Sequence, residues 1–84
     1  MKDNKINVDI IVPAIGERYN VFIPVNKSVG EVILILNNSI NELTGAFAVD
    51  NKLCLYDVLD NKIYNNNIEI IKSGMKNGTI LALI

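Results

Sequence analysis

The amino-terminal part of the chain alternates apolar and polar residues in two short segments. In residues 6–12, every second position from Ile6 to Val12 is apolar, and residues 19–24 continue the alternation. A period of two is typical of a half-buried strand. Pro13 and Gly16 interrupt the pattern between the segments. Two such strands with a short glycine-containing connection predict a β-hairpin.

The spacing of apolar residues then changes from two to three and four. Ser28 and Glu31 form an S-x-x-E capping box just before this segment, and Gly45 follows it. A capping box predicts the start of a helix, and a glycine marks a natural end. The predicted buried stripe consists of Val29, Val32, Ile33, Leu36, Ile40 and Leu43. Leu34 and Ile35 fall towards the opposite, solvent-facing side of the helix.

The second half of the chain has shorter and less regular patterns. We expect a strand at 53–58, a very short one at 63–64 and a last strand at 79–84. Between them we expect a turn at 60–61, a helical turn at 68–73 and a tight turn at Asn77-Gly78. Alternation leaves two registers open for residues 53–64. Either Leu53 and Leu55 face inwards, or Cys54, Tyr56 and Val58 do.

The order of elements is strand, strand, helix, strand, short strand, strand. It predicts one α+β domain at residues 6–84, preceded by a flexible amino end at residues 1–5. The chain has 84 residues, of which 50% are hydrophobic. A domain of this size has one core and little room for a deep cleft. The apolar content exceeds what such a core needs, so part of it is expected to meet a partner.

Charge and targeting signals narrow the classes of function. The formal net charge is −1 and the eight Lys and Arg residues form no run. Nucleic-acid binding needs a basic patch, so it is not expected. Unbroken apolar runs such as residues 32–36 are far shorter than the roughly 20 residues of a membrane span. The amino end is polar and unlike a signal peptide, so we expect a cytoplasmic protein without direct membrane insertion.

The residues that usually carry catalysis are scarce. There is no histidine, and the one cysteine, Cys54, is expected to be a small apolar strand residue. Asp57 and Asp60 are interpreted as solvated strand-end and turn residues, not as a catalytic carboxylate pair. The Gly16-Glu17-Arg18 loop lacks the spacing of a phosphate-binding loop. We therefore expect no enzyme activity, no cofactor and no metal.

The element order, with a capped helix after the first hairpin, resembles the ubiquitin-like β-grasp. The resemblance covers residues 6–84 and implies a mixed four- to five-stranded sheet packed on one main helix. Gly78 lies where the β-grasp turn before the last strand needs a left-handed backbone. The matching positions are Val21, Ile23, Ser28, Val29, Val32, Leu36, Met75, Gly78, Leu81 and Leu83.

A narrower resemblance is to the small YukD/EsaB proteins of type VII (WXG100) secretion systems in Gram-positive bacteria. Residues 74–81, Gly-Met-Lys-Asn-Gly-Thr-Ile-Leu, look like that family's closing segment. The family implies a cytosolic accessory role in contact with membrane components of the secretion machine. Ubiquitin-type modifiers act through a Gly-Gly tail, whereas this sequence has no Gly-Gly and its last predicted strand runs to Ile84. Conjugation is therefore not expected.

The resemblance and the missing chemistry predict a non-catalytic protein-binding adaptor, recruited to the inner face of the membrane by a partner. The first candidate surface is the solvent side of the sheet, with Tyr64 and Arg18 as rim residues. Alternation assigns it Ile11, Phe22, Ala82 and Ile84. The second candidate is the outer helix face around Leu34 and Ile35. The alternative hypothesis is a self-associating structural module of another bacterial assembly, because an open strand edge can pair with a second copy.

Overall fold

The computed structural model describes residues 4–45, 47 and 52–84. The predicted flexible end at residues 1–5 therefore lies mostly outside the described residues. The strands and the helix follow the predicted order. They are β1 (Lys5–Val12), β2 (Glu17–Pro24), α1 (Val29–Thr44), β3 (Leu55–Asp57), β4 (Lys62–Ile63) and β5 (Ile80–Leu83).

The predicted hairpin is formed by β1 and β2, which pair antiparallel from Lys5 opposite Pro24 to Val12 opposite Glu17. A short 3-10 turn, Pro13–Ile15, connects the strands. Gly16 ends this turn with φ +64°, a left-handed conformation that glycine adopts at little cost. The second strand begins two residues earlier than its alternation predicted, because Glu17 and Arg18 continue the pairing.

The capping box at the start of α1 is confirmed. The Ser28 hydroxyl accepts a hydrogen bond from the Glu31 amide at 3.1 Å, and the Glu31 carboxylate accepts one from the Ser28 amide at 2.9 Å. The amides of Val29 and Gly30 donate to the carbonyls of Ile68 and Asn66. The first turn of the helix therefore has partners for amides that no helical carbonyl can reach.

The predicted apolar stripe of α1 faces the core, with two differences. Leu43 is 72% exposed, so its place in the buried stripe was wrong. It lies in the last turn, two residues before the Gly45 cap, where the helix ends and the side chain is largely surrounded by solvent. Asn37 is fully buried on the same stripe. No buried side-chain nitrogen or oxygen of the described residues lacks a hydrogen-bond partner.

The sheet has five strands in the order β2-β1-β5-β3-β4. The first and last strands, β1 and β5, lie side by side and parallel in its middle, and the other pairs are antiparallel. Val8, Ile10 and Val12 of β1 and Leu81 and Leu83 of β5 point towards α1 and are almost fully buried. The core therefore lies between one face of the sheet and the helix.

The structure decides between the two registers that were left open for residues 53–64. Leu55 and Asp57 of β3 are buried, whereas Tyr56 is half-buried on the other face. Residues 70–72 form a 3-10 turn inside the predicted helical turn. Gly78 has φ +91°, as the turn before the last strand was predicted to need. Across all the described residues, no helix is both long and apolar enough to span a membrane.

Candidate functional site

A row of side chains crosses the outer face of the sheet, the face turned away from α1. Ile11 of β1 lies opposite Ala82 of β5, Ala82 opposite Tyr56 of β3, and Tyr56 opposite Ile63 of β4. We call these four residues the apolar row. Neighbouring strands are about 4.8 Å apart, so the row is about 14 Å long. On its β2 side it ends at Arg18, which pairs with Ile11.

Further apolar residues flank the apolar row on the same face. Ile80 lies two residues before Ala82 on β5, and its carbonyl accepts a hydrogen bond from the amide of Val58. On the other side, Ile84 and Cys54 exchange two backbone hydrogen bonds of 3.0 and 2.6 Å. Ile84 and Val58 are exposed, and Ile63 is 62% exposed. The β5, β3 and β4 part of the outer face is therefore continuously apolar.

The β1 and β2 part of the same face is polar. The Arg18 guanidinium donates to the Asp9 carboxylate at 2.7 Å, and the side-chain amide of Asn20 donates to the same carboxylate at 2.8 Å. The hydrogen bonds from Arg18 and Asn20 hold the pKa of Asp9 below its usual value. Asn7 and Asn20 exchange side-chain hydrogen bonds of 2.9 and 3.0 Å. These polar side chains hold one another in place beside the apolar row.

The structure divides the predicted sheet surface into two parts. Ile11, Ala82 and Ile84 lie together at the apolar end. Phe22 is on the same face but pairs with Asn7, so the polar group separates it from the other three. Ala82 is on the predicted side of the sheet, yet it is only 8% exposed. Its methyl group is small, and its neighbours in the register on either side, Ile11 and Tyr56, are larger residues.

Sequence reasoning missed Tyr56, Val58 and Ile63 as members of this surface. Tyr56 and Val58 alternate with Leu55 and Asp57, but that alternation fitted both open registers. Ile63 belongs to a strand of two residues, which is too short to show a period. Knowledge of the register of β3 would have identified all three residues. It places Tyr56 and Val58 on the outer face and, through the pairing with β4, Ile63 as well.

The second candidate surface is on α1. Leu34 and Ile35 are both about half exposed, as predicted. Beside Leu34, a shallow groove of about 350 Å³ runs between the start of the helix and the loop at residues 66–67. Its apolar lining comes from Ile33, Leu34 and Leu53. These residues are on the opposite side of the domain from the apolar row, so the two surfaces are separate.

Asp57 and Tyr64 form a buried pair that the sequence did not indicate. Asp57 was predicted to be solvated and Tyr64 to lie at the rim, and both predictions were wrong, since the residues are only 6% and 7% exposed. The Tyr64 hydroxyl donates to the Asp57 carboxylate at 2.7 Å. The other carboxylate oxygen accepts from the amides of Leu59 and Asp60. The carboxylate thus closes the turn after β3 and links it to the following strand.

The pKa shifts of this pair indicate a structural role for the Asp57 carboxylate. Burial works against the charged form of Asp57, but hydrogen bonds from the Asp60 amide, the Tyr64 hydroxyl and the Leu59 amide outweigh it and lower its pKa. Burial and the neighbouring carboxylate raise the pKa of Tyr64. A carboxylate held in its charged form by three donors is a poor proton acceptor. Within the described residues, no three acidic or cysteine side chains come together as metal ligands.

Comparisons with known proteins give matches among solved structures. No family model and no curated protein matches the chain. A designed protein based on ubiquitin has a TM-score of 0.67 and 15% identity, over 99% of this chain and 90% of that one. The ubiquitin-like domain of an Arabidopsis thaliana protein has a TM-score of 0.66 and 14% identity, over 98% of this chain and 78% of that one.

A third similar structure is a chain of the MycP5-free ESX-5 inner membrane complex. Its TM-score is 0.70 and its identity 16%, over 98% of this chain. This chain spans only 21% of that larger one. Likeness at such identities shows the fold, and the fold is the predicted one: a ubiquitin-like β-grasp with one helix on a five-stranded mixed sheet.

Proposed function

We propose that this ubiquitin-like β-grasp domain is a non-catalytic protein-binding adaptor, and that the outer face of its sheet is the binding surface. The observation that carries the proposal is the apolar row. Each of four neighbouring strands contributes one apolar side chain to it, and the outermost, Ile63, is largely exposed. Contiguous exposed apolar surface with a polar border is typical of protein-binding sites.

The charges beside the apolar row support a protein partner over a small ligand. Arg18 and Asp9 form an ion pair at the border whose side chains remain partly exposed. Such a rim contributes little to the stability of the domain but can orient an approaching partner. Small-molecule sites are usually concave cavities. Two grooves of about 300 and 350 Å³ in the described part of the molecule are lined by none of the four residues of the apolar row.

We propose further that the partner is a component of a type VII secretion system. Two observations support this assignment. Residues 74–81 resemble the closing segment of the YukD/EsaB proteins, and the fold is similar to that of part of a chain in the ESX-5 inner membrane complex. The adaptor would then act in the cytoplasm, at the inner face of the membrane, through a membrane component of the machine.

Site-specific crosslinking in the source cells tests the partner and the surface together. A photo-crosslinking amino acid placed at position 63 should capture a membrane component of the secretion machine, identified by mass spectrometry. The matched control places the same group at position 34, on the exposed outer face of α1. Capture from position 34 and none from position 63 would contradict the sheet surface. Partners unrelated to secretion would contradict the assignment to a type VII system.

Substitution of one residue in the apolar row tests the energetics of the surface. Ile63→Lys should weaken binding to the captured partner about tenfold or more, since a buried isoleucine side chain contributes roughly 1.5–3 kcal/mol. Leu34→Lys is the control and should bind like the unchanged protein. Both positions are exposed, so each variant should keep its stability within about 0.5 kcal/mol. A gene neighbourhood without WXG100 proteins and an FtsK-like ATPase would also count against the assignment.

A further inference from the structure

The two edges of the sheet differ in length. At one edge, β4 has two residues, Lys62 and Ile63, and offers little backbone to an incoming strand. At the other edge, β2 has eight residues and, among the described residues, pairs only with β1. Natural proteins usually keep an exposed edge short or interrupt it with lysine or proline. The β4 edge follows this rule, whereas the charged residues and the proline of β2, namely Glu17, Arg18 and Pro24, are at its two ends.

The alternation of hydrogen bonds between β1 and β2 shows which backbone groups of β2 point away from β1. The Val25 amide donates to the Asn4 carbonyl at 2.8 Å. In an antiparallel pair, such bonds recur at every second residue, so the groups between them point away from the partner strand. The amides and carbonyls of Arg18, Asn20 and Phe22 therefore point outwards. No other described residue forms a hydrogen bond with these backbone groups.

We propose that β2 pairs antiparallel with β2 of a second copy of this chain, with the two-fold axis at Asn20. This register sets Asn20 opposite Asn20 and Arg18 opposite Phe22 of the second copy. All the outward backbone groups of the three residues then have partners. If the axis moved to Tyr19, Phe22 would face the Gly16 turn. If it moved to Val21, Arg18 would face Pro24, which has no amide hydrogen.

The side chains of the two copies are also complementary in this register. Tyr19 lies opposite Val21 of the second copy on the inner side, and both residues are half-buried at the open edge. Aromatic residues opposite β-branched residues stabilise antiparallel strands. On the outer side, Arg18 lies opposite Phe22 of the second copy, and a cation–π contact forms when the guanidinium turns from the Asp9 carboxylate towards the ring. Each contact occurs twice, as the symmetry of a two-fold interface requires.

This interface goes beyond the proposed adaptor function and is independent of it. The β2 edge is at the opposite end of the sheet from Ile63, so a dimer leaves most of the apolar row accessible. Pairing of one strand buries little surface, so we expect a weak dimer that forms at high protein concentration. It would present two copies of the binding surface on one continuous sheet.

Sedimentation equilibrium tests the proposal over protein concentrations from micromolar to millimolar. The unchanged chain should shift from 9.3 kDa towards twice that mass. Asn20→Lys should weaken the dimer about threefold or more, because it sets two like charges directly opposite each other. The same lysine lies beside Asp9 within its own copy, so the fold is preserved. Circular dichroism checks that the variant is folded.

A matched pair of variants at position 22 tests the register itself. Phe22→Glu and Phe22→Lys both remove the ring, but glutamate would attract Arg18 of the second copy and lysine would repel it. The glutamate variant should dimerise about threefold or more tightly than the lysine variant. Ile63→Lys, at the other edge, is the control and should leave the dimer unchanged.

The amide signals of Arg18, Asn20 and Phe22 provide a second readout. In heteronuclear NMR spectra they should shift with concentration and become protected from solvent exchange. A mass of 9.3 kDa at all concentrations would overturn the proposal. Equal dimerisation of the two position-22 variants would overturn the register, as would a dimer lost in Ile63→Lys.

Discussion

At the scale of single residues, the contact between Asp57 and Tyr64 is the most consequential. Tyr64→Phe removes the hydroxyl that donates to the Asp57 carboxylate at 2.7 Å and changes little else. The buried carboxylate would lose one donor, so the free energy of unfolding should fall by about 1–3 kcal/mol. Urea denaturation of the variant and the unchanged protein measures the difference.

Tyr19→Phe is the matched control for this prediction. Tyr19 is half-buried, and its hydroxyl forms no hydrogen bond with any described residue. Its stability should therefore stay within about 0.5 kcal/mol of the unchanged protein. Equal losses in the two variants would mean that the hydrogen bond to Asp57 stabilises nothing.

The lowered pKa of Asp57 predicts a dependence of stability on pH. The folded state holds this pKa below its ordinary value of 3.8, so the unfolded chain binds the proton more readily. The stabilisation is present above the ordinary value and is lost as the pH falls through the folded pKa. Asp57→Asn should therefore be less stable at pH 7 and lose less stability on acidification. Chemical denaturation between about pH 6 and pH 2 measures both slopes.

Acidic residues outside this pair remain in the variant. Asp9 and Glu31 also have lowered pKa values, so Asp57→Asn should keep part of the acid sensitivity. Parallel curves for the variant and the unchanged protein would contradict the role of Asp57. Sequence reasoning could not foresee this role, because a carboxylate before a turn is usually solvated. Its burial depends on Tyr64, seven residues away, folding back over it.

At the scale of elements, the capping box makes α1 dependent on one hydroxyl. Ser28→Ala removes the acceptor for the Glu31 amide and should lower the free energy of unfolding by about 1 kcal/mol. Ser39→Ala is the control, since Ser39 is exposed inside the helix and alanine favours helix formation. Thermal denaturation compares the two variants. A loss from Ser39→Ala as large as that from Ser28→Ala would contradict the prediction.

The hairpin and the helix could be predicted because each repeats its period several times. The eight residues of β1 show four alternations, and α1 combines a capping box, an apolar stripe and a terminal glycine. The strands β3 and β4 have three and two residues, too few to establish a period. The position of β3 depends on hydrogen bonds to β5, whose residues are more than 20 positions away, and β4 in turn pairs with β3.

At the scale of the whole molecule, the order of the strands predicts an order of stability. The central strands β1 and β5 have neighbours on both sides, whereas β4 has one neighbour and an exposed face. Hydrogen-bonded amides of β1 and β5 should exchange with solvent only on global unfolding, and the Tyr64 amide beside β4 at least tenfold faster. Hydrogen exchange followed by NMR measures both. Equal rates would contradict the prediction.

Local pattern could not predict the parallel pairing of β1 with β5. No periodicity reports which strands become neighbours, so this feature followed only from the resemblance to the β-grasp. The candidate surface, too, could be predicted only in part from local pattern. Alternation placed Ile11, Ala82 and Ile84 on the correct face, but separating Phe22 from them required the pairing of Phe22 with Asn7. Adding Tyr56 and Ile63 required the register of β3 and β4.

The parallel pairing in the middle of the sheet also bears on when the domain can fold during its synthesis. The Asn7 amide donates to the Asn77 side chain, 70 positions later, and β5 lies between β1 and β3. The exit tunnel of the ribosome encloses the most recently synthesised residues. The strand β5, which joins the two halves of the sheet, therefore emerges after the other strands. Until then the hairpin and the helix have an unfilled gap beside them. We therefore expect the nascent chain to stay exposed to chaperones and proteases until β5 has left the exit tunnel.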